Sequence, residues 1–210
     1  MPARKKSAKP VRTYHHGNLR AALVDAALSV LTEKGVTGFS LRETARRAGV
    51  TPSAPKHHFA DTRALLTALA TIAFRDLADR LEAADRTGKS TAQRIVAQGT
   101  AYLSFALEQR ALFELMWQAG LLDLTDPDLV VEKVRAFRIL DQRVRGADAA
   151  VLSQDDPKMA LTFACWSVVH GFAHMMIEGA FGLDWETAST TAHALLPRSV
   201  ELLVKKKSVR

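Results

Sequence analysis

Basic and hydroxyl-bearing side chains are concentrated in residues 40–59, which read SLRETARRAGVTPSAPKHHF. Arginine and lysine bind phosphates, and hydroxyl and imidazole groups hydrogen bond to base edges, so these side chains suit contact with DNA. An S-x-x-E capping box at Ser40 opens one short helix, which Gly49 ends. Thr51 then caps a second helix, with Pro52 at its first position. This layout predicts a helix-turn-helix, whose second helix enters the major groove.

A plain helical hairpin with a solvated basic face is the alternative interpretation of these twenty residues. The distribution of charge along the chain favours DNA binding. Residues 1–63 hold 12 Lys and Arg against 4 Asp and Glu, whereas residues 64–210 hold 17 against 18. The excess positive charge therefore surrounds the hairpin, where it can neutralise phosphates and release counterions.

The first thirteen residues predict a disordered basic arm. Residues 1–12 contain five basic side chains, two prolines and no acid, and they lack apolar periodicity. Such an arm can follow the DNA backbone or enter the minor groove, or it can serve as a solubilising tail. Both interpretations stay open.

The remaining elements that position these residues are also helices. Residues 19–34 carry apolar side chains at i, i+3, i+4, i+7 and i+8, the stripe of an amphipathic helix, and strand signals are nearly absent. About nine helices are predicted, which makes the fold class all-α. They span residues 19–34, two short pieces within 40–59, then 61–84, 91–108, 110–121, 127 onward, 157–179 and 184–205.

Composition predicts a cytoplasmic protein without a membrane span. The single Cys165 allows no internal disulfide and fits a reducing compartment, and no apolar stretch follows the basic start. Residues 159–177 lack Asp, Glu, Lys and Arg over a length that suits a membrane span. Their His, Thr, Ser and Cys lower the hydrophobicity, so a helix buried at a dimer interface explains them better.

The first third of the chain resembles the TetR family of bacterial transcription regulators. YHHGNLRAALVDAALSVLTEKG and FSLRETARRAGVTPSAPKHHFADTRALL, within residues 14–66, follow the family pattern nearly position by position. Trp166, His170 and Gly171 resemble the W-x-x-x-H-G signature of one subgroup's C-terminal domain. The resemblance implies a helix-turn-helix domain in residues 14–62 and a ligand-binding and dimerisation domain in residues 63–210. It also implies a two-fold dimer on a palindromic operator, and usually a repressor released by a small ligand.

Three positions depart from the common family pattern. Lys56 stands where most relatives carry a phosphate-contacting Tyr, and Thr62 replaces a lysine used near the backbone. Pro55 falls at the fourth position of the predicted helix, where it removes a hydrogen bond, so the start of that helix can be distorted.

The candidate DNA contacts follow from these positions. Candidates for base edges or nearby phosphates are Thr51, Ser53 and His57. Candidates for the phosphate backbone are Lys56, His58, Arg42, Tyr14 and His16. For His58, packing beside Phe59 is an equally good interpretation.

Bulky side chains in the second domain are the candidates for a ligand cavity, although at helical spacing such residues more often fill a core. The candidates are Phe74, Phe105, Phe113, Trp117, Phe137, Trp166, His170 and Met175. Few charges fall on the inward faces, so a small apolar ligand is expected. His170 and His174 share a helix face, but no H-E-x-x-H, cysteine pair or nearby carboxylate accompanies them, so no metal or cofactor is expected.

The last two predicted helices are expected to form a homodimer through small residues at 160, 164, 171 and 173. Ligand binding would then move the helix at 61–84 and change the separation of the two DNA-reading helices. No catalytic Ser-His-Asp motif and no Gly-rich phosphate loop is found, so an enzyme is not expected. A non-specific DNA-binding architectural protein remains the alternative function.

Overall fold

The computed structural model describes residues 19–146, 149, 156–180, 182 and 184–205, and the predicted basic arm lies outside them. All regular secondary structure in these residues is helical, which confirms the all-α class. The α-helices are α1 (Leu19–Lys34), α2 (Leu41–Arg47), α3 (Thr62–Asp85), α4 (Thr91–Glu108), α5 (Arg110–Met116), α6 (Pro127–Arg145), α7 (Pro157–Ile177) and α8 (Trp185–Lys205). Two short 3-10 helices lie at Ala54–His57 and Ala119–Leu121.

Local capping signals set several helix bounds as predicted. The Ser90 hydroxyl accepts the N–H of Gln93 at 3.3 Å, and the Gln93 side-chain oxygen accepts the N–H of Ser90 at 3.1 Å, which completes a capping box for α4. The Asp61 carboxylate accepts the N–H of Ala64 at 2.8 Å and opens α3. The predicted bounds of α1 and α4 match the structure.

The helix predicted over residues 110–121 is shorter than expected. The structure ends α5 at Met116 and then forms the 3-10 helix Ala119–Leu121. Gln118, with φ −86° and ψ 70°, leaves the helical region, and the chain then turns back towards α3. Leu122 is only 2% exposed after this turn, so burial of its side chain favours the return of the chain to the core.

The helix α3 is the central element of the fold. It packs against α4, α5 and α6 along its length and against α1 near its start. Phe74 and Leu77 of α3 are almost fully buried. Because α3 begins directly after the predicted helix-turn-helix and continues through the second domain, it connects the two regions.

The apolar helix α7 packs against α4, α6 and α8. By length and composition α7 could cross a membrane, since its mean hydropathy reaches 1.4. About a third of that stretch (33%) is buried. Phe163 and Met175 project from it at 53% and 42% exposure, so α7 presents apolar side chains on its outer face as well as to the core.

Candidate DNA-binding surface and ligand cavity

The helix α2 begins at Ser40, whose hydroxyl accepts the N–H of Glu43 at 3.4 Å. The predicted capping box is only half formed, because the Glu43 carboxylate contacts arginines instead of the Ser40 backbone. The turn after α2 uses Gly49 at φ +71°, a conformation that glycine adopts without steric strain. Val50 then donates its N–H to the Ala45 carbonyl at 3.0 Å, which closes the turn.

The second helix of the motif differs from the prediction: it is the 3-10 helix Ala54–His57. The N–H groups of Ala54, Lys56 and His58 bond to carbonyls three residues earlier, at 3.0–3.1 Å. Pro55 has no N–H and cannot make the bond that would begin a regular α-helix. The predicted cap is also wrong: the Thr51 hydroxyl lies 3.2 Å from that of Ser53, and no side chain caps this helix.

Two buried residues attach this 3-10 helix to the rest of the protein. Pro55 is buried, and Phe59 is 4% exposed with the Arg20 guanidinium of α1 lying 5.0 Å from its ring centroid. Between and before them the side chains of the predicted contact residues face solvent. Those exposed residues are Thr51, Ser53, Lys56 and His57.

Not every predicted contact residue has this exposure. His58 is half-buried and lines a cleft with Arg20 and Phe59. Arg42 on α2 is exposed. Tyr14 and His16 lie outside the described residues.

The arginines of α2 fall into two groups. Glu43 takes two hydrogen bonds from Arg46, both 2.8 Å long, and one from Arg47 at 3.0 Å. Arg47 also contacts Glu33 at 2.6 Å. The bonds from Arg46, and then those from Arg47, lower the pKa of the Glu43 carboxyl to about 2. Arg42 takes no part in this cluster, so its charge is available at the surface.

An aromatic cluster centred on His170 occupies the second domain. The Tyr102 hydroxyl lies 3.0 Å from Nδ1 of His170. The Trp117 ring lies 4.6 Å from that of His170, and Phe113 lies 5.7 Å from it. Phe74 contacts Trp117 at 5.9 Å. Four predicted ligand residues therefore meet here, together with Tyr102, which is not among the predicted ones.

Burial favours the neutral forms of His170 and Tyr102 in this cluster. It lowers the pKa of His170, with a smaller contribution from His174, and it raises the pKa of the Tyr102 phenol. The Tyr102 hydroxyl therefore stays protonated beside a neutral His170 ring, and the His170 tautomer sets which of the two groups donates their hydrogen bond. Within the described residues no group of three His, Cys, Asp or Glu side chains could hold a metal ion.

A cavity of about 510 Å³ lies between α3, α6 and α7, within the range of roughly 300–1,000 Å³ that is usual for small-molecule sites. Its aromatic lining residues are Phe74, Trp117, Phe137, Phe163 and Trp166. The Phe137 ring lies 5.5 Å from both Phe163 and Trp166. Four predicted ligand residues thus line this space, and Phe163 joins them.

The other predicted ligand residues lie elsewhere. Phe105 and Phe113 are fully buried in the core and do not line this cavity. His170 contacts the cavity residue Trp117 but does not itself line the cavity. Met175 is 42% exposed on α7 and is not a cavity residue.

Sequence reasoning missed three charged residues in the cavity wall, namely Lys133, Arg138 and Asp141 of α6. Their spacing, with Phe137 between them, is that of one helix face, but only the packing of α6 on α3 shows which face turns towards the cavity. Asp141 is 1% exposed and accepts hydrogen bonds from Arg145 at 2.7 and 2.6 Å.

The segment after Trp117 connects the cavity wall to the start of α3. Arg63 donates to the Gly120 carbonyl at 3.1 Å, and the Asp123 N–H donates to the Thr67 hydroxyl at 2.9 Å. Both bonds lie within two turns of the N-terminus of α3, which follows the 3-10 helix Ala54–His57.

Comparison with known families identifies both regions. Residues 23–69, from α1 into α3, match the family model described as "Bacterial regulatory proteins, tetR family". Residues 95–197, from α4 into α8, match "Tetracyclin repressor-like, C-terminal domain", and the two matches together cover more than two thirds of the chain. The chain belongs to the TetR family. The TetR-family regions thus contain both the helix-turn-helix and most of the cavity wall.

Individual relatives of this TetR-family chain agree with that assignment. It is 36% identical over 78 residues to the HTH-type transcriptional regulator BetI of Rhizobium meliloti, which is 37% of this chain and 38% of that regulator. A protein with unknown function from Rhodococcus sp. RHA1 has a TM-score of 0.70 and 32% identity, with 90% of this chain and 98% of that one covered. FadR from Bacillus subtilis, solved in complex with stearoyl-CoA, has a TM-score of 0.62, 15% identity and coverage of 84% and 96%, a likeness of fold alone.

Proposed function

We propose that this TetR-family chain is a sequence-specific repressor that binds a palindromic operator as a homodimer and leaves it when a small ligand occupies the cavity between α3, α6 and α7. The observation that carries the proposal is the way residues 51–59, here called the reading segment, are held on the protein. Buried Pro55 and Phe59 fix its position, while Ser53, Lys56 and His57 face solvent beside the exposed Arg42. A fixed row of donors and cations is what DNA readout requires.

The exposed side chains have different proposed roles. Thr51, Ser53 and His57 read base edges or nearby phosphates, and Lys56 and Arg42 hold the phosphate backbone. The half-buried His58 has the weaker case for a DNA contact, since it borders Phe59 and Arg20. Tyr14 and His16 are proposed as backbone contacts from the segment that precedes α1.

The homodimer is proposed to form through α7 and α8. The support for this is the apolar surface that a single protomer leaves exposed there, at Phe163, Met175, Leu195 and Leu202. Gly171 on α7 has open space beyond its Cα, so a partner helix could approach it closely. Ala173, which sequence reasoning included among the interface residues, is fully buried within the protomer.

Ligand binding is proposed to reach the DNA through the segment that follows Trp117. A ligand that moves the Trp117 ring would displace this segment and, through Gly120 and Asp123, pull on Arg63 and Thr67 of α3. Since α3 begins directly after the reading segment, this displacement would change the separation of the two reading segments in the dimer. The ligand must bind the two arrangements with different affinity for this to work.

Further assignments rest on the same residues. The proposed division is a basic arm at 1–13, a DNA-binding domain at 14–62 and a ligand-binding and dimerisation domain at 63–210. Trp166 and His170 both contact the Tyr102 ring, at 5.4 and 6.3 Å between ring centroids, and this shared contact is the support for proposing membership of the W-x-x-x-H-G subgroup. We expect a cytoplasmic regulator that has no catalytic activity, no cofactor and no metal.

Selection of bound fragments from random DNA, at about 150 mM salt to suppress non-specific contacts, tests the proposal. Enrichment of one palindrome supports a dimeric sequence-specific regulator and supplies the operator. Binding without enrichment would instead identify a non-specific DNA-binding protein. The double variant Lys56→Ala, His57→Ala, which changes only exposed positions, should abolish the enrichment.

A further inference from the structure

Five cations lie on α6, and they differ in whether they have an acidic partner. Three form ion pairs: Arg135 with Asp79, Glu82 and Glu132, Arg143 with Asp85, and Arg145 with Asp141 and Asp156. Lys133 and Arg138 form no ion pair with any described residue, and these two line the cavity. Among the described residues, the wall of the cavity therefore carries two positive charges that have no acidic partner.

We infer that the ligand of this cavity is an amphipathic anion, whose carboxylate or phosphate head lies between Lys133 and Arg138 and whose hydrocarbon chain lies on the aromatic residues. This inference rests on the proposed function, because it names the chemical class of the ligand that releases the regulator. An ammonium and a guanidinium are suitable partners for an oxyanion, and the guanidinium can bind it through two parallel hydrogen bonds.

The exposed rim of the cavity carries the two cations together with the apolar Phe163 and Val134, whereas its most buried aromatic side chain is Phe74. Lys133 and Arg138 are both exposed, so they stand where the cavity meets water. Phe74 of α3, only 1% exposed, lines the same cavity, together with the half-buried Trp166 of α7 and Phe137 of α6. An anion with a hydrocarbon tail fits this gradient, since it buries the tail and leaves the head at the charged rim.

Asp141 does not cancel the two cations. Both of its carboxylate oxygens accept hydrogen bonds from Arg145, and Oδ1 also lies 3.2 Å from the Thr162 hydroxyl. Arg145 and Asp141 are 3% and 1% exposed, so the pair is enclosed and its charges compensate each other locally. The positive charge of Lys133 and Arg138 is therefore the net charge of the described residues that line the cavity.

The experiment compares three probes of equal chain length, namely decanoate, 1-decanol and decylammonium, with the full-length protein. Binding is followed by tryptophan fluorescence, because Trp117 and Trp166 line the cavity whereas Trp185 lies at the start of α8. Decanoate should bind at least about fivefold more tightly than 1-decanol, decylammonium should bind more weakly than either, and salt should weaken the preference for decanoate.

Removal of the two cations provides the decisive comparison. The variant Lys133→Ala, Arg138→Ala should lose the preference for decanoate and keep the affinity for 1-decanol, which shows that the cavity is intact. The matched control Arg86→Ala, Lys89→Ala removes two exposed charges from the turn between α3 and α4 and should behave as the unaltered protein.

Three results would overturn the inference: equal or tighter binding of 1-decanol, an unchanged preference in the Lys133 and Arg138 variant, or no fluorescence change with any probe. The last result would indicate that a partner protomer covers the cavity. Selection of bound DNA on the same preparation separates this failure from that of the proposed function. If a palindrome is enriched but decanoate is not preferred, the proposed DNA-binding function is supported and only the inference of an anionic ligand is wrong.

Discussion

The hydroxyl of Thr67 on α3 accepts a hydrogen bond from the backbone N–H of Asp123 at 2.9 Å. Thr67 is 2% exposed whereas Asp123 is exposed, so this part-buried bond lies at the edge of the protein interior. It joins the segment that follows the cavity residue Trp117 to a helix that begins next to the DNA-reading segment. The two proposed functions of the molecule therefore meet at this bond and at the bond from Arg63 to the Gly120 carbonyl.

Thr67→Val keeps the shape of this side chain and removes the acceptor, which leaves the Asp123 N–H without a partner. We expect a loss of about 0.5–1.5 kcal/mol in the free energy of unfolding, since water can reach the exposed Asp123, together with weaker coupling between ligand and DNA affinity. Urea unfolding and operator binding with and without ligand measure the two effects. Thr71→Val is the control: its hydroxyl donates only to the Thr67 carbonyl on the same helix, so coupling should persist.

Glu43→Gln should strengthen DNA binding of every sequence. The Glu43 carboxylate holds Arg46 and Arg47, and its neutralisation would release the Arg46 guanidinium towards phosphate, whereas Arg47 keeps its contact with Glu33. Each new phosphate contact adds about 0.9 to the slope of log affinity against log salt, so a steeper slope is expected. Glu108→Gln makes the same charge change beside Arg80, far from the reading segment, and should leave the slope unaltered. An unchanged salt slope for the Glu43 variant would show that the arginines paired with Glu43 do not contact DNA phosphates.

The same cluster predicts how stability depends on pH. Because the folded-state pKa of Glu43 is about 2, below its ordinary value of 4.5, the carboxylate stabilises the fold fully above about pH 4.5. That contribution should decline as the pH falls from about 4.5 towards 2. Thermal unfolding of the protein and of Glu43→Gln should therefore differ most near pH 6 and converge near pH 2.5, both rough values. A difference that grew on acidification would contradict the assignment.

Lys56 and His57 should respond differently to truncation. Lys56→Ala removes a proposed phosphate contact, so affinity should fall alike for all sequences and the salt slope should fall by about 1. His57→Ala removes a proposed base contact, so affinity should fall mainly for the operator, by about 1–3 kcal/mol. Fluorescence anisotropy with operator and scrambled duplexes at several salt concentrations separates the two patterns. If both variants behaved alike, the division between base and backbone contacts would be wrong.

Gly171→Leu tests the proposed dimer interface. No described residue of the protomer lies within 4 Å of a Cβ built on Gly171, so the isolated protomer should tolerate the larger side chain. Between two closely packed helices the same side chain would clash, and the dimer should dissociate at micromolar concentration. Sedimentation velocity measures this. Ala83→Leu, at an exposed position on α3, is the control and should stay dimeric.

Features that depend on neighbouring residues in the chain were the predictable ones. Ser90 and Gln93 fix the start of α4 through local hydrogen bonds, and the structure confirms the prediction. The S-x-x-E pattern at Ser40 misled in part, since arginines one turn further on compete for the Glu43 carboxylate. The charges of Lys133 and Arg138 in the cavity could not be predicted, because α6 also carries three paired arginines and only tertiary packing distinguishes them.

The second helix of the motif shows how a single residue overrides a pattern. Thr51 and Pro52 form a typical helix start, but Pro55 lacks the donor that a regular first turn needs. The result is a short 3-10 helix whose shape depends on the packing of Pro55 and Phe59.

That short segment separates the residues that maintain the fold from those that would select the DNA. Pro55 and Phe59 face inward, whereas Ser53, Lys56 and His57 face outward and make no contribution to the core. Substitutions at the outward positions can therefore change the preferred operator with little effect on the stability of the protein. If the outward residues select the DNA as proposed, new target sites can arise one substitution at a time, because each successive variant still folds.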